Sequence, residues 1–147
     1  MATKRAFVLS MALVWMSVCH VAQACKPTLT TVLVFEEGSA SLGRDQIALL
    51  AVRLDHFRRT YPHLDEVDIE GVARNTAPDA RQLAHRRAAE AAHAVRALFN
   101  GVKLHVSSNV YPPELSIHAG NYAGIDVVPP MKDMPDCAPV PIRDFKR

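Results

Sequence analysis

Ile69-Glu70-Gly71-Val72-Ala73-Arg74, followed after a short turn by Leu83-Ala84-His85-Arg86-Arg87-Ala88, is the stretch of sequence that decides the fold. Apolar and charged residues alternate over 67–70, the period of two that is typical of a strand with one buried face. Further on, alanines recur at three- and four-residue spacing, which predicts a helix that can approach a sheet closely. We therefore predict a strand, a turn and a helix here.

The predicted helix has signals at both ends. Thr76 is a favoured N-cap, Pro78 fits a first turn, and Asp79 is placed to reach back toward exposed amides. At the other end, Asn100-Gly101 is typical of a helix stop. The helix is thus predicted to run to Phe99, with an inward stripe of Ala84, Ala88, Ala91, Val95 and Leu98.

The flanking segments supply one more helix and three more strands. Strands are predicted over 29–35, 102–106 and 124–128, with Tyr111-Pro112-Pro113 and Tyr122 assigned to loops. A helix is predicted over 44–59, where apolar residues recur at helical spacing: Ile47, Leu50, Ala51, Leu54 and Phe57. The order βαβαββ with short connections predicts an α+β fold in which helices cover one face of a mixed sheet.

In this order and in several motifs, residues 32–128 resemble the peptidoglycan-binding OmpA-like domain family. Phe-Glu-Glu-Gly-Ser-Ala-Ser-Leu over 35–42 is similar to the family's Phe-x-x-x-Ser-x-x-Leu stretch before its first helix. Leu83 to Ala88 is similar to the family's Leu-Ser-x-x-Arg-Ala helix start. The resemblance implies an OmpA-like two-layer sandwich. It also implies a pocket in which a strand-end Asp and the helix Arg hold the charged ends of a diaminopimelate side chain.

Two arginines occupy the ligand positions of that pocket. Arg87 matches the family's arginine, whereas Arg74 stands where the family has its aspartate. Because a guanidinium repels the ammonium that the aspartate would hold, the site is predicted to be degenerate and to prefer an anionic group. Asp79 is a candidate substitute for the missing carboxylate. Arg87 has an alternative role in a surface salt bridge to Asp79 or Glu90.

Other departures from the family pattern point the same way. The turn after Gly71 is shorter than usual, and Ala80 stands where the family generally has an Asn. The family's closing Asn-x-x-Asn-Arg-Arg-Val pattern is reduced to Asn121-Tyr122-Ala123-Gly124-Ile125-Asp126-Val127. The fold motifs are therefore better kept than the ligand motifs.

The N-terminus has the features of an export signal. Lys4 and Arg5 precede an apolar run, and Ala22-Gln23-Ala24 offers the small residues of a cleavage site. The run is too short for a membrane span, which needs about 20 apolar residues. We predict a signal peptide over 1–24, an OmpA-like domain over 25–128 and a Pro-rich extended tail without a helix over 129–147. The expected location is the periplasm.

Charge counts argue against a nucleic-acid partner. The full chain has 17 basic and 15 acidic residues, and removal of the signal takes away two bases and no acid. The mature chain is therefore neutral overall, without the basic excess that nucleic-acid binding requires.

Cys25 and Cys137 are the two cysteines left after signal removal. An oxidising compartment allows a disulfide between them. Alternatively, Cys25 is the lipidated first residue of a lipoprotein anchored in the outer membrane. The two alternatives are exclusive because each uses the same sulfur, and the lipid would be the only membrane attachment.

Motifs for metal binding, cofactors and catalysis are absent from the sequence. The six histidines beyond the signal include no i, i+4 pair, and there is no Gly-x-Ser-x-Gly elbow, phosphate loop or Cys-x-x-Cys. We therefore expect a binding protein without a metal or cofactor, and no enzyme.

Two functions fit these features. The first is a periplasmic or outer-membrane-associated module that binds a protein of the cell envelope, for example as a secretion-system accessory or a protective partner of a toxin. The second is an envelope lipoprotein that still binds peptidoglycan through Arg87. The arginine at position 74 favours the first.

Overall fold

The computed structural model describes residues 29–133, so the predicted signal peptide, Cys25 and Cys137 lie outside the described residues. The strands are β1 (Leu29–Val34), β2 (Glu66–Arg74), β3 (Lys103–Tyr111) and β4 (Tyr122–Val127), and the helices are α1 (Arg44–Thr60) and α2 (Ala80–Leu98). Short 3-10 turns span Pro113–Leu115, Ile117–Gly120 and Met131–Asp133. The predicted order βαβαββ is confirmed.

The four strands form one mixed sheet in the order β1-β4-β2-β3. β2 and β3 are parallel and are connected through α2, whereas β4 is antiparallel to both β1 and β2. The last strand in sequence therefore lies inside the sheet, and β3 forms one of its edges. The predicted α+β class with a mixed sheet is confirmed.

Both helices contribute to one core with the inward side chains of the sheet. The buried residues of this core include Leu50, Leu54 and Phe57 of α1, Ala91 and Val95 of α2, and Leu33, Val67, Ile69 and Ile125 of the sheet. Ile47, predicted to point inward, is 38% exposed. It lies roughly 60° around α1 from Leu50, which places it at the side of the buried face.

Helix α2 approaches β2 closely because Gly71 has no side chain. A Cβ atom at Gly71 would lie 2.7 Å from the Cβ of Ala88 and would also meet main-chain atoms of Ala84 and Ala88. Ala84 and Ala88 are fully buried. The predicted alanine stripe is confirmed from residue 84 to 95, while Leu98 is only partly buried.

The start of α2 differs from the prediction. The helix begins at Ala80, and the Ala77 amide donates to the carbonyl of Arg74 at 3.1 Å in a turn that leaves β2. Position 77 also precedes a proline, which disfavours helical backbone there. Asp79 is the N-cap residue, with a left-handed φ of 50°, and its side chain makes no capping hydrogen bond. The predicted capping roles of Thr76 and Asp79 are therefore wrong.

β3 is longer than predicted, and both tyrosines lie in strands. Ser107, Ser108 and Asn109 are polar, yet they extend β3 to Tyr111 because an edge strand can expose them to solvent. Tyr122 is the first residue of β4.

The described chain beyond β4 packs on the domain. Pro129 is fully buried, and the Asp133 carboxylate contacts the His63 ring nitrogen Nδ1 at 2.8 Å. Residues 131–133 form a 3-10 turn, so this part of the predicted tail is not extended.

Candidate ligand site

Arg87 lies in the first half of α2, on the side that faces the connection between β1 and α1, and its side chain is completely buried. Its guanidinium donates five hydrogen bonds. Nε donates to Ser39 O (2.8 Å), Nη1 to Val72 O (2.8 Å) and Gly120 O (3.0 Å), and Nη2 to Glu36 O (3.2 Å) and Asn121 Oδ1 (3.0 Å).

These five bonds use every N–H of the guanidinium. Four acceptors are main-chain carbonyls and the fifth is a side-chain amide, so no described carboxylate compensates the charge. The Phe35 ring, 5.4 Å from the guanidinium carbon, adds a cation–π contact. The surface salt bridge to Asp79 or Glu90 that the sequence allowed does not form.

The environment lowers the pKa of Arg87. The first cause is burial, which removes water from the charged form, and the second is repulsion by the charge of Arg74. Arg74 therefore lies near enough to Arg87 for its charge to act on the guanidinium. Arg87 is a buried cation that is stabilised by carbonyl and amide dipoles and by the Phe35 ring.

Arg74 is the accessible member of the pair. It ends β2, its side chain is 25% exposed, and it forms an ion pair with Glu37, whose side chain is 71% exposed. Its Nε is buried and has no hydrogen-bond partner. The carboxylate beside Arg74 thus comes from the chain's own turn between β1 and α1.

A turn with unusual backbone angles contacts both arginines. His118, Ala119 and Gly120 all have positive φ (49°, 50° and 73°), a conformation that is unfavourable for the first two residues. The Gly120 carbonyl accepts a hydrogen bond from Arg87. A Cβ atom at Gly120 would lie 2.8 Å from the main-chain nitrogen of Arg74. Residue 120 must therefore be a glycine for this turn to seat against β2.

Asp79 is separate from both arginines. It is exposed at the start of α2, and no ion pair or side-chain hydrogen bond links it to Arg74 or Arg87. Among the three predicted ligand residues, the structure brings together Arg74 and Arg87 and leaves Asp79 apart.

Sequence reasoning missed Glu36, Ser39 and Gly120, which accept hydrogen bonds from Arg87, and Glu37, which pairs with Arg74. Two signals were available. The stretch 35–42 matches the family's approach to its first helix, and Asn121 begins the reduced closing motif. Neither signal indicates that main-chain oxygens of these segments point at the guanidinium.

A second polar cluster lies at the β2–β3 junction and includes both strand tyrosines. Glu70 Oε1 accepts hydrogen bonds from Asn109 Nδ2 and from the Tyr111 hydroxyl (2.9 Å). The bond to Glu70, followed by burial, raises the pKa of Tyr111. Burial, followed by the charge of Glu70, raises the pKa of Tyr122. These tyrosines are part of the sheet and do not form an exposed binding loop.

Among residues 29–133, no group of three His, Cys, Asp or Glu side chains is placed to hold a metal ion. In the same residues, neither helix combines the length and hydropathy needed to cross a bilayer.

The sequence matches no protein-family model and no curated protein. Solved structures do match. The OmpA-like domain of FopA1 from Francisella tularensis superposes with a TM-score of 0.54 at 12% identity, over 74% of this chain and 77% of that one. The fold is OmpA-like.

The peptidoglycan-associated lipoprotein from Burkholderia pseudomallei also matches, with a TM-score of 0.48 and 18% identity over 66% of this chain and 87% of that one. Within the fold of this chain, Arg87 lies in α2 and Arg74 is the last residue of β2.

Proposed function

We propose that this protein is an exported cell-envelope module that binds a protein partner and does not hold diaminopimelate. The N-terminal signal features support export, and the OmpA-like fold supports a role in the envelope. The observation that carries the proposal is the complete use of the Arg87 guanidinium by five internal acceptors.

A ligand carboxylate could reach Arg87 only after internal bonds break. Nη2 is the most exchangeable group, yet it already donates to Glu36 and Asn121. A fully buried acceptor without a donor costs about 1–3 kcal/mol, and the cost here is at the low end because both acceptors are only partly buried. A diaminopimelate end would have to offset that cost and would still meet the cation of Arg74 in place of an anion.

Arg74 offers a different kind of contact. Its ion pair with Glu37 is open to solvent, and exposed pairs contribute only about 0–1 kcal/mol. A carboxylate on a partner protein could therefore replace Glu37 at little cost. In this proposal Arg74 binds the anionic group, and Arg87 supports the pocket.

Sedimentation with purified peptidoglycan sacculi tests the proposal. Wild-type protein should stay in the supernatant. Arg74→Asp should co-sediment only weakly, because Arg87 stays buried, and Arg59→Asp on the exposed face of α1 serves as the charge-matched control. Strong co-sedimentation of the wild type that is lost in Arg74→Ala but kept in Arg59→Ala would overturn the proposal.

A photoreactive amino acid at the exposed position Asn75, next to Arg74, tests the protein partner. We expect one dominant crosslinked protein in envelope fractions, and we expect Arg74→Glu to abolish that crosslink. The same photoreactive group at Arg59 is the control position. A crosslink that is unchanged by Arg74→Glu would argue against Arg74 as the contact.

The state of Cys25 belongs to the same proposal. We propose that the mature chain begins at Cys25 and that a disulfide joins it to Cys137. The intact mass of native protein should match residues 25–147 less two hydrogens. A mass increased by a diacylglycerol and a fatty acyl chain would instead support the lipoprotein alternative and leave Cys137 as a thiol.

A further inference from the structure

Strand β3 has a free edge within the described residues, since β2 is its only strand neighbour there. At one end of the β2–β3 ladder, the Lys103 amide donates to Asp65 O at 2.7 Å. At the other end, the Asn75 amide donates to Tyr111 O at 2.9 Å.

These two bonds fix the direction of the main-chain groups of β3. In a parallel ladder, alternate residues of a strand bond to the same neighbour. The odd-numbered residues from Lys103 to Tyr111 therefore bond to β2. The N–H and C=O groups of the even-numbered residues point away from β2, toward the free edge: Leu104, Val106, Ser108 and Val110.

This edge has few of the features that prevent strand pairing. Natural edge strands are usually short, bulged, or interrupted by Pro or Lys. β3 has nine residues in unbroken register with β2, it contains no Pro or Gly, and its single Lys or Arg is the first residue, Lys103. Val106, on this strand, is 44% exposed. The edge is thus open to another extended chain.

Basic side chains on one side of α2, which we call the basic wall, lie beside the edge of β3. A cavity of about 330 Å³ is lined by Arg81, Ala84, Ser108, Asn109 and Val110. His85 and Arg96 lie roughly 40° and 60° around α2 from Arg81, so all three share one side of the helix. All three are exposed. Glu90, the one acid in α2, lies roughly 180° from Arg81.

We propose that the free edge of β3 binds an extended, acidic segment of another protein by strand addition. The main chain of the segment pairs with residues 104–110, and its acidic side chains on the helix side face Arg81, His85 and Arg96. This surface is distinct from the site of Arg74 and Arg87, so the inference goes beyond the function proposed above.

Charge decides between an acidic segment and a second copy of this chain. Two β3 edges paired antiparallel would place two α2 helices side by side, each with its basic side toward the other. Arg81 of one copy would approach Arg96 of the second copy. Like charges across an interface disfavour the pairing, whereas an acidic chain complements the wall.

The test uses three synthetic seven-residue peptides with the full-length mature protein. The first alternates glutamate with valine and threonine, the second has lysine at each glutamate position, and the third is the acidic peptide with alternate amides N-methylated. Fluorescence anisotropy measures the affinity of each peptide, and hydrogen exchange measures the protection of the main-chain amides on the β3 edge.

We expect the acidic peptide to bind and to slow exchange of the Leu104, Val106 and Ser108 amides by at least about tenfold at saturation. The lysine and N-methylated peptides should not bind. Equal binding of the N-methylated peptide would overturn strand addition. Slow exchange of these amides in the free protein would also overturn the proposal, because it would show that the edge is already covered by the chain itself or by a second copy.

Charge reversal separates this surface from the first site. Arg81→Glu combined with Arg96→Glu should weaken binding of the acidic peptide by roughly tenfold or more and create binding of the lysine peptide. Arg59→Glu on the exposed face of α1 should leave both affinities unchanged. Unchanged affinity in the double variant would overturn the role of the basic wall, whatever the result with sacculi.

Discussion

A Cβ atom built on Gly71 of β2 would lie 2.7 Å from the Cβ of Ala88 of α2, closer than such atoms approach in folded proteins. The two residues set the distance between the helix and the sheet. That distance determines how deeply Arg87, one residue before Ala88, is placed behind the turn between β1 and α1.

Gly71→Ala should therefore destabilise the protein. The added methyl meets main-chain atoms of Ala84 and Ala88, which cannot rotate away, and overpacking of this kind costs about 1–3 kcal/mol. Gly124→Ala in the neighbouring strand β4 is the matched control, because a Cβ there has nothing within 4 Å. Urea unfolding should show a large loss in the free energy of unfolding for Gly71→Ala and no loss for Gly124→Ala. Equal midpoints would show that the helix moves to accommodate the methyl.

Arg87→Ala should destabilise the protein even though the native side chain is a buried charge without a counter-ion. The substitution removes the Arg87 donor from four carbonyls and the Asn121 amide. Although the Glu36 carbonyl still accepts from the Ser39 amide at 3.0 Å, we expect a loss of at least about 3 kcal/mol. Arg87→Lys, with three donors in place of five, should lose less. Exposed Arg86→Ala is the control and should change the free energy of unfolding by less than about 0.5 kcal/mol. A small effect of Arg87→Ala would mean that water replaces the guanidinium.

The spacing of apolar residues predicted the fold well because each strand and helix buries only one of its faces. The residues of β2 and α2 that alternate or recur in sequence are also the ones that are buried, as Val67, Ile69, Ala84 and Ala88 illustrate. The predicted strand 102–106 ends before the observed end of β3 at Tyr111. Ser107 to Asn109 stay extended at a sheet edge, where burial imposes no pattern.

The site was less predictable for a different physical reason. The identities of residues 74 and 87 indicated a pair of arginines, and the pKa of Arg87 is lowered first by burial and second by the charge of Arg74. The acceptors of Arg87, however, are mostly main-chain oxygens of Glu36, Ser39 and Gly120, and any residue type carries the same oxygen. Only the path of the backbone determines whether such an oxygen points at a guanidinium.

Glu70 should control the ionisation of two tyrosines. It accepts a hydrogen bond from the Tyr111 hydroxyl, and its charge also contributes to the raised pKa of Tyr122. Both pKa values are raised in the folded state, so the protonated tyrosines contribute to the free energy of unfolding. This contribution is present below the usual pKa of about 10 and is lost as pH rises through the raised values. Glu70→Gln should move the tyrosinate absorbance titration to lower pH.

Exposed Glu114→Gln is the control for that titration, since no contact joins Glu114 to Tyr111 or Tyr122 in the described residues. An identical titration of Glu70→Gln and the wild type would remove Glu70 as the cause.

The lack of a counter-ion for Arg87 predicts a stabilising substitution. Asn121 Oδ1 accepts from Nη2 of Arg87 at 3.0 Å, so Asn121→Asp keeps the acceptor and adds a negative charge beside a buried cation. The bond already has a charged donor, so the substitution adds the Coulomb attraction of an ion pair less the desolvation cost of the carboxylate, and we expect a net gain of about 1 kcal/mol at pH 7. The new carboxyl should have a depressed pKa in the folded state. Its gain is therefore present above the usual Asp pKa of about 3.9 and is lost as pH falls through the depressed value.

Asn109→Asp makes the same chemical change with the opposite expected sign, because Asn109 donates to Glu70 and the new carboxylate would repel it. Urea unfolding of both variants at pH 7 and again at acidic pH checks the pair. The free energy of unfolding of Asn121→Asp should exceed that of the wild type at pH 7 and become equal to it in acid. Asn109→Asp should fall below the wild type at pH 7 and recover in acid. A loss of stability in Asn121→Asp at pH 7 would mean that the carbonyl dipoles already compensate the charge of Arg87, so that a carboxylate, whether from position 121 or from a ligand, gains nothing by approaching it.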